Sequence, residues 1–181
     1  VSRGHEVKVQ TVSLRGLSKK EMSDGVEIRR SFGFRRRAES CSVYEMAGYL
    51  VGAFFPAWKL CADWKPDVVH AHFAVPSGAL ALPLRILTGI PYALTVHLGD
   101  LPGGNPEQTD HLFRVLNPLI RPIWHGADAV SASSLFAAEL AKKSYGIGPE
   151  IIPNGISMEG RPSTVTAPGE SLRFAAVGRF N

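Results

Sequence analysis

The run Lys65-Pro66-Asp67-Val68-Val69-His70-Ala71-His72-Phe73, followed through Pro76-Ser77-Gly78 to Leu94-Thr95-Val96-His97-Leu98-Gly99-Asp100, decides how this chain is read. It is an apolar strand carrying two histidines, a segment of helical length, and a second apolar strand. Parallel strands need a crossover of a dozen or so residues, usually a helix, and strands buried on both faces read as nearly continuous apolar runs. The stretch therefore predicts a βαβ unit in a parallel sheet covered on both faces. Its helix is expected to open after Ser77 as N-cap. It should stop at Thr88-Gly89-Ile90-Pro91, where glycine takes the left-handed cap and proline blocks continuation. In open α/β sheets ligands collect beyond the carboxyl ends of the strands, where His72, His97 and Asp100 fall.

Upstream, Glu6 to Ser13 alternates Val7, Val9 and Val12 with polar residues and predicts a strand, and Val26 to Arg29 a shorter one after the turn signal Asp24-Gly25. Phe32 to Glu39 is expected to be a basic loop. From Ser42 to Trp64 the apolar residues Val43, Met46, Ala47, Leu50, Phe54, Trp58 and Cys61 recur at helical spacing along one stripe, with Pro56 expected to kink or divide the helix. The uncharged run between Glu45 and Lys59 is too short for a membrane span of about 20 residues. The helix is expected to pack on the sheet or to lie against a bilayer.

Downstream, Asn105 and Pro106 open a helical region reaching about Gly126, interrupted by Pro118 and Pro122. Ala127 to Ser131 predicts a short parallel strand. A helix capped by Ser133 or Ser134 then stops at Tyr145-Gly146, and Glu150 to Pro153 is a last strand. Beyond Asn154-Gly155, Glu159 to Ser171 is rich in glycine, proline, serine and threonine and reads as a linker, and Leu172 to Arg179 begins a new apolar strand. The expected division is a domain over 1–158, a linker over 159–171 and the first strand of a second domain over 172–181.

The 181 residues are 45% hydrophobic and 20% charged, the balance of a globular chain with a real core and not of a disordered one. The formal charge of +4 is concentrated: Arg29, Arg30, Arg35, Arg36 and Arg37 lie within nine positions, a patch suited to phosphate groups of lipid or nucleic acid. The arginines lack the interleaved aromatic platform or helix-turn-helix pattern of a nucleic-acid site, so no nucleic-acid partner is expected. Two cysteines, Cys41 and Cys61, are too few for a disulfide framework, and a reducing, cytoplasmic compartment is the simpler expectation. The chain opens without a signal peptide or initiator methionine and reads as a piece of a longer protein.

His70-Ala71-His72 puts two imidazoles on one side of a strand, because side chains alternate. A catalytic zinc usually needs three protein ligands, and no cysteine or carboxylate cluster lies near, so no metal is expected. One histidine is read as structural and His72, nearer the strand end, as lining the crevice. His97 with Asp100 suits a base with its orienting carboxylate, and Gly99 between them would let backbone approach a ligand closely. The absence of a Gly-x-Ser-x-Gly elbow, a Walker loop and a Gly-x-Gly-x-x-Gly fingerprint disfavours a serine hydrolase, a P-loop enzyme and a dinucleotide oxidoreductase.

Five landmarks in order, Lys65 to Phe73, Leu94 to Asp100, Ala127 to Ser133, Ile151 to Ile156 and Ala176 to Arg179, resemble those of family 4 retaining glycosyltransferases of the GT-B fold. The resemblance implies a Rossmann-like doubly wound parallel sheet with helices on both faces, forming the amino-terminal, acceptor-binding domain. It implies transfer of a sugar, with retention, from a nucleotide-sugar donor to a lipid-linked or polysaccharide-precursor acceptor, with no cofactor and no metal. His97, followed by Gly99 and Asp100, matches the histidine near the transferred sugar, Asn154 and Gly155 the interdomain turn, and Gly178 with Arg179 the start of the donor site. It also implies peripheral contact with an anionic membrane through Arg35, Arg36, Arg37 and the Ser42 to Trp64 helix. Family members open with a further strand, central in the sheet between those at Glu6 and Asp67, and carry a lysine and paired glutamates beyond the position of Asn181. Without these the 181-residue chain by itself is expected to be inactive. A non-catalytic sugar- or lipid-binding module is the alternative. A nucleotide-sugar 2-epimerase ranks last, because the crevice offers histidines and only Asp100 as a carboxylate.

Overall fold

A computed structural model describes residues 3–37, 41–104 and 106–155, with residues 106–115 described by their backbone alone. In chain order the elements are β1 (Lys8–Val12), β2 (Lys20–Ser23), β3 (Val26–Ser31), α1 (Val43–Trp64), β4 (Val69–His72), α2 (Ala79–Thr88), β5 (Tyr92–Val96), α3 (Pro106–His125), β6 (Ala129–Ala132), α4 (Leu135–Tyr145) and β7 (Glu150–Ile151). Strands β4, β5, β6 and β7 form one sheet in that order, every pair parallel. Strands β1, β3 and β2 form another, with β1 parallel and β2 antiparallel to β3. This is the Rossmann-like α/β arrangement, a parallel sheet flanked by helices.

The period-two alternation of β4 and β5 sorts their side chains by chemistry. Val69 and Ala71 stand opposite Tyr92 and Leu94, and with Val96 and Ala132 they face a core closed by Ile120 and Trp124 of α3 and by Ala137, Ala138, Ala141 and Tyr145 of α4. The Trp124 and Tyr145 rings stack 4.4 Å apart. The intervening positions, His70, Thr95 and Ser131, share the other side. A second cluster joins Tyr49, Ala53, Ala57 and Cys61 of α1 to Leu80 and Leu84 of α2. Val12 of β1 and Val69 of β4 both pack against it, so α1 ties the two sheets together. Among the described residues no strand pairs with the outer edge of β1 or of β4. The sheet divides where a further central strand was expected.

Several local expectations change. Lys20–Ser23 is a strand that hydrophobic alternation did not reveal. It pairs with β3 across the two-residue turn Asp24-Gly25, both at positive φ (49° and 79°), as such tight hairpins require. Ion pairs replace apolar contacts there: Lys20 to Glu27 at 3.0 Å and Arg30 to Glu21 at 2.7 Å. Arg29 first, then Lys20, bonds the Glu27 carboxyl and holds it at about 2.

The helix α1 is capped by Ser42 and Glu45, as each side chain bonds the other's backbone N–H. Its buried face is Tyr49, Ala53, Ala57, Leu60 and Cys61, displaced from the expected stripe; Val43 and Trp58 are exposed. Neither Pro56 in α1 nor Pro118 and Pro122 in α3 ends its helix. The residues around each, Ala53 and Ala57 or Ile120, Ile123 and Trp124, are locked in the core, and that packing outweighs the lost backbone bond. Ser77 does not cap α2. An irregular turn over Ala74–Gly78, with a cis Val75–Pro76 peptide, intervenes, and Gly78 takes the cap position without a side-chain bond. Gly89 and Gly146 end α2 and α4 in the left-handed conformation, and Ser134 caps α4.

Candidate functional site at the strand ends

Two parallel neighbours, β4 and β5, end side by side, with His72 in register with Thr95 and His97 one residue beyond β5. This brings His72 and His97 together: Nδ1 of His72 lies 3.4 Å from Nε2 of His97, with ring centroids 5.7 Å apart. Phe73, one residue beyond β4, lays its ring 4.3 Å from the His97 ring. His72 is exposed and His97 half-buried, so the pair is reached from solvent at the strand ends.

His70, one pleat down, is engaged elsewhere. Its Nε2 lies 2.7 Å from Thr95 Oγ1, which lies 2.8 Å from Ser131 Oγ, a polar chain crossing β4, β5 and β6. Burial, and then the nearby His72, push the His70 imidazole below its ordinary value, and the same two causes in the same order act on His97.

Asp100 behaves differently from the expectation that it orients the His97 ring. It is buried, at 2% exposure, and its carboxylate accepts the backbone N–H of Ala74 (2.9 Å), the backbone N–H of His97 (3.0 Å) and a bond from the Val75 backbone. Its carboxylate staples the turn after β4 to the turn after β5 and bonds backbone rather than the imidazole, while the His97 side chain faces the Asp100 backbone N–H in a capping box. Burial pushes its pKa up to about 7 against those three bonds, which pull the other way. Tyr145 supports the same turn, its hydroxyl 3.5 Å from the Asp100 carbonyl.

Gly99 is exposed, and a Cβ there would meet nothing within 4 Å. The fold does not demand glycine at this position, and the space above it is open to a ligand. Asn154 and Gly155 are exposed just beyond β7, on the side from which the chain leaves the sheet. Gly178 and Arg179, with the linker over 159–171 and the strand over 172–181, lie outside the described residues. Among the described residues no group of three or more His, Cys, Asp or Glu side chains could hold a metal ion.

The site residues that sequence reasoning did not single out are Phe73, Thr95, Ser131 and the Ala74 and Val75 amides. Only the alternation of β5 and β6 hinted that Thr95 and Ser131 share a side; the register that places them beside His70 is tertiary.

The fold and the site together define a Rossmann-like α/β domain that presents two adjoining histidines at the carboxyl ends of its parallel strands. The chain belongs to Glycosyltransferase Family 4, whose profile matches residues 1–159. It is 34% identical over 96 residues to TuaC of Bacillus subtilis (strain 168), a protein described as a teichuronic acid biosynthesis glycosyltransferase. That match takes in 53% of this chain and 23% of the length of TuaC, so the chain corresponds to less than a quarter of this relative. Among solved structures it resembles a sucrose-phosphate synthase from Thermosynechococcus elongatus, with a TM-score of 0.60 over 85% of this chain and 78% of that one. At 14% identity that likeness concerns the fold alone.

Proposed function

We propose that this chain is the acceptor-side domain of a hexosyl-type glycosyltransferase that moves a sugar, with retention, from a nucleotide-sugar donor to a lipid-linked or polysaccharide-precursor acceptor. The carrying observation is the convergence of His72 and His97 at adjacent strand ends in a Family 4 chain. His97 positions the transferred sugar, His72 and the open space over Gly99 receive the acceptor, and Gly178 and Arg179 begin the donor site beyond the turn at Asn154 and Gly155. The anomeric C–O bond to the diphosphate breaks while the acceptor oxygen bonds the same face, and the acceptor proton passes to the departing phosphate. A fixed guanidinium such as Arg179 stabilises the charge that develops there. Asp100 serves by holding the loops. No metal or cofactor takes part in this reading.

The test is transfer of labelled hexoses from uridine and guanosine diphosphate donors into a lipid extract, using the protein expressed with its flanking coding sequence. Retained anomeric configuration in the product supports the reading; no transfer from any donor, or inversion, refutes it. The 181-residue chain assayed alone is expected to give no turnover.

The same reading includes peripheral contact with the inner face of an anionic membrane. Support comes from α1, which is apolar on opposed sides. Opposite its buried face, Tyr44 (87% exposed), Val51 (83%) and Phe55 (61%) recur with Trp58 at helical spacing. Phe32 and Phe34, also exposed, pack over Gly52 and Gly48 of the same helix, next to Arg35, Arg36 and Arg37. A helical segment apolar on opposed sides is ordinarily covered on both. Aromatic rings beside arginines suit the headgroup region of a bilayer. No helix among the described residues is long and apolar enough to cross one. Phosphatidylcholine vesicles containing phosphatidylglycerol should sediment the protein, and Arg36→Glu with Arg37→Glu should weaken binding by about tenfold or more, on the scale of roughly 1 kcal/mol per basic residue. Equal binding to vesicles lacking phosphatidylglycerol would count against the charge-based contact.

A further inference from the structure

The ring of His97 is held from several sides. Its backbone N–H is bound by the Asp100 carboxylate, its side chain faces the Asp100 backbone N–H, one ring contact is Phe73, and Nε2 faces Nδ1 of His72. Phe73 supports this from a φ of +73°, a region bulky residues seldom occupy. The backbone there is secured by the bond from Phe73 N–H to the Thr95 carbonyl (3.1 Å) and by that from Gly78 N–H to the Phe73 carbonyl (3.0 Å). Such strain persists only where the surroundings over-determine it. Two imidazole nitrogens facing each other attract only when one carries a proton and the other a lone pair. His70 does not compete for this contact, because its Nε2 is committed to Thr95 and through it to Ser131.

We propose that His72 is a positioning residue for His97: the two rings share one proton between His72 Nδ1 and His97 Nε2, and this sets the tautomer that His97 presents at the crevice. The step moves no electrons and makes no covalent bond; the proton stays within the pair. The groups that face the pair are His70 on β4, the Asp100 carboxyl behind the His97 backbone and the Tyr145 hydroxyl on the Asp100 carbonyl. A second proton would put like charges on neighbouring rings, since His70 and His72 centroids are only 4.5 Å apart. The kinetic consequence rests on the proposed role of His97 in transfer; the tautomer itself does not.

The experiment compares wild type, His72→Ala and His72→Asn by the nitrogen chemical shifts of isotope-labelled imidazoles in the full chain. Asparagine can place an amide group near the position of Nδ1. His97 should show one tautomer in wild type and in His72→Asn, and averaged tautomers in His72→Ala. Averaged shifts in wild type, or unchanged shifts in His72→Ala, overturn the proposal. In the transfer assay His72→Ala should lower kcat by about tenfold to a hundredfold, the scale for losing a partner that orients a functional histidine, beyond any rise in acceptor KM from its place beside the acceptor, with kcat recovered in His72→Asn. A raised acceptor KM at unchanged kcat would make His72 an acceptor contact alone, with no hold on His97, and also overturn it. If no variant, wild type included, transfers sugar, the transferase reading fails, and the nitrogen shifts still decide this one.

Discussion

Asp100→Ala is expected to destabilise the domain by about 3 kcal/mol or more, because it strips the acceptor from backbone N–H groups buried in the crevice floor, each costing about 1–3 kcal/mol when left unpaired. The groups are those of Ala74, Val75 and His97. Part of that loss is offset by removing a carboxylate that is itself penalised by burial. Chemical denaturation at pH 7 measures it, and a loss below about 1 kcal/mol would show that the two turns hold without the staple.

The same residue carries a pH dependence. Its carboxyl titrates at about 7 in the folded chain, against about 3.9 when unfolded. A raised carboxyl pKa means the folded state binds the proton more tightly. Stability therefore falls as pH rises between about 4 and 7, by up to about 1.4 kcal/mol per pH unit, and levels off above. His70 and His97, whose values are lowered, act in the opposite sense, adding stability as pH rises toward 6.5. The difference between wild type and Asp100→Asn isolates the carboxyl. That difference should change with pH over the 4 to 7 window, and parallel profiles would contradict the assigned shift.

His97→Ala is expected to lower transfer by about a hundredfold to a thousandfold, the range for losing one positioned group beside a developing charge. The ring is half-buried and the Asp100 carboxylate holds the His97 backbone rather than the imidazole, so the fold should persist. Thermal unfolding within a few degrees of wild type, together with the lost transfer, would place the effect at the site. Activity within about threefold of wild type would remove His97 from the reaction, because so small a factor is under 1 kcal/mol.

Ser42 and Glu45 announce α1, and Gly89 and Gly146 announce helix ends, because caps are local and depend on a few neighbouring backbone groups. The hairpin strand Lys20–Ser23 carries no apolar alternation, because its partners are the backbone ladder of β3 and the cross-strand charges Glu27 and Arg30, which lie beyond its own span. The buried side of α1 differs from the expected stripe because its uncharged run between Glu45 and Lys59 is apolar on more than one side and so has no intrinsic inside. Tyr49, Ala53 and Ala57 became the core face only when Leu80, Leu84, Val12 and Val69 met them. The prolines of α1 and α3 were expected to break helices that the core then held intact.

The sequence by itself determined the α/β class, the βαβ unit from Val69 to Val96, the placing of His72 and His97 at strand ends and the family. These depend on alternation, helix punctuation and motif order, which are written in neighbouring residues. Only the tertiary structure decided the chemistry of the crevice. The parallel register of β4 and β5 brings His72 to His97 and His70 to Thr95, and burial turned Asp100 from an expected partner of the imidazole into a staple for the backbone. A carboxylate sealed from water bonds whichever donors the packing leaves unpaired, and those were the amides of Ala74, Val75 and His97.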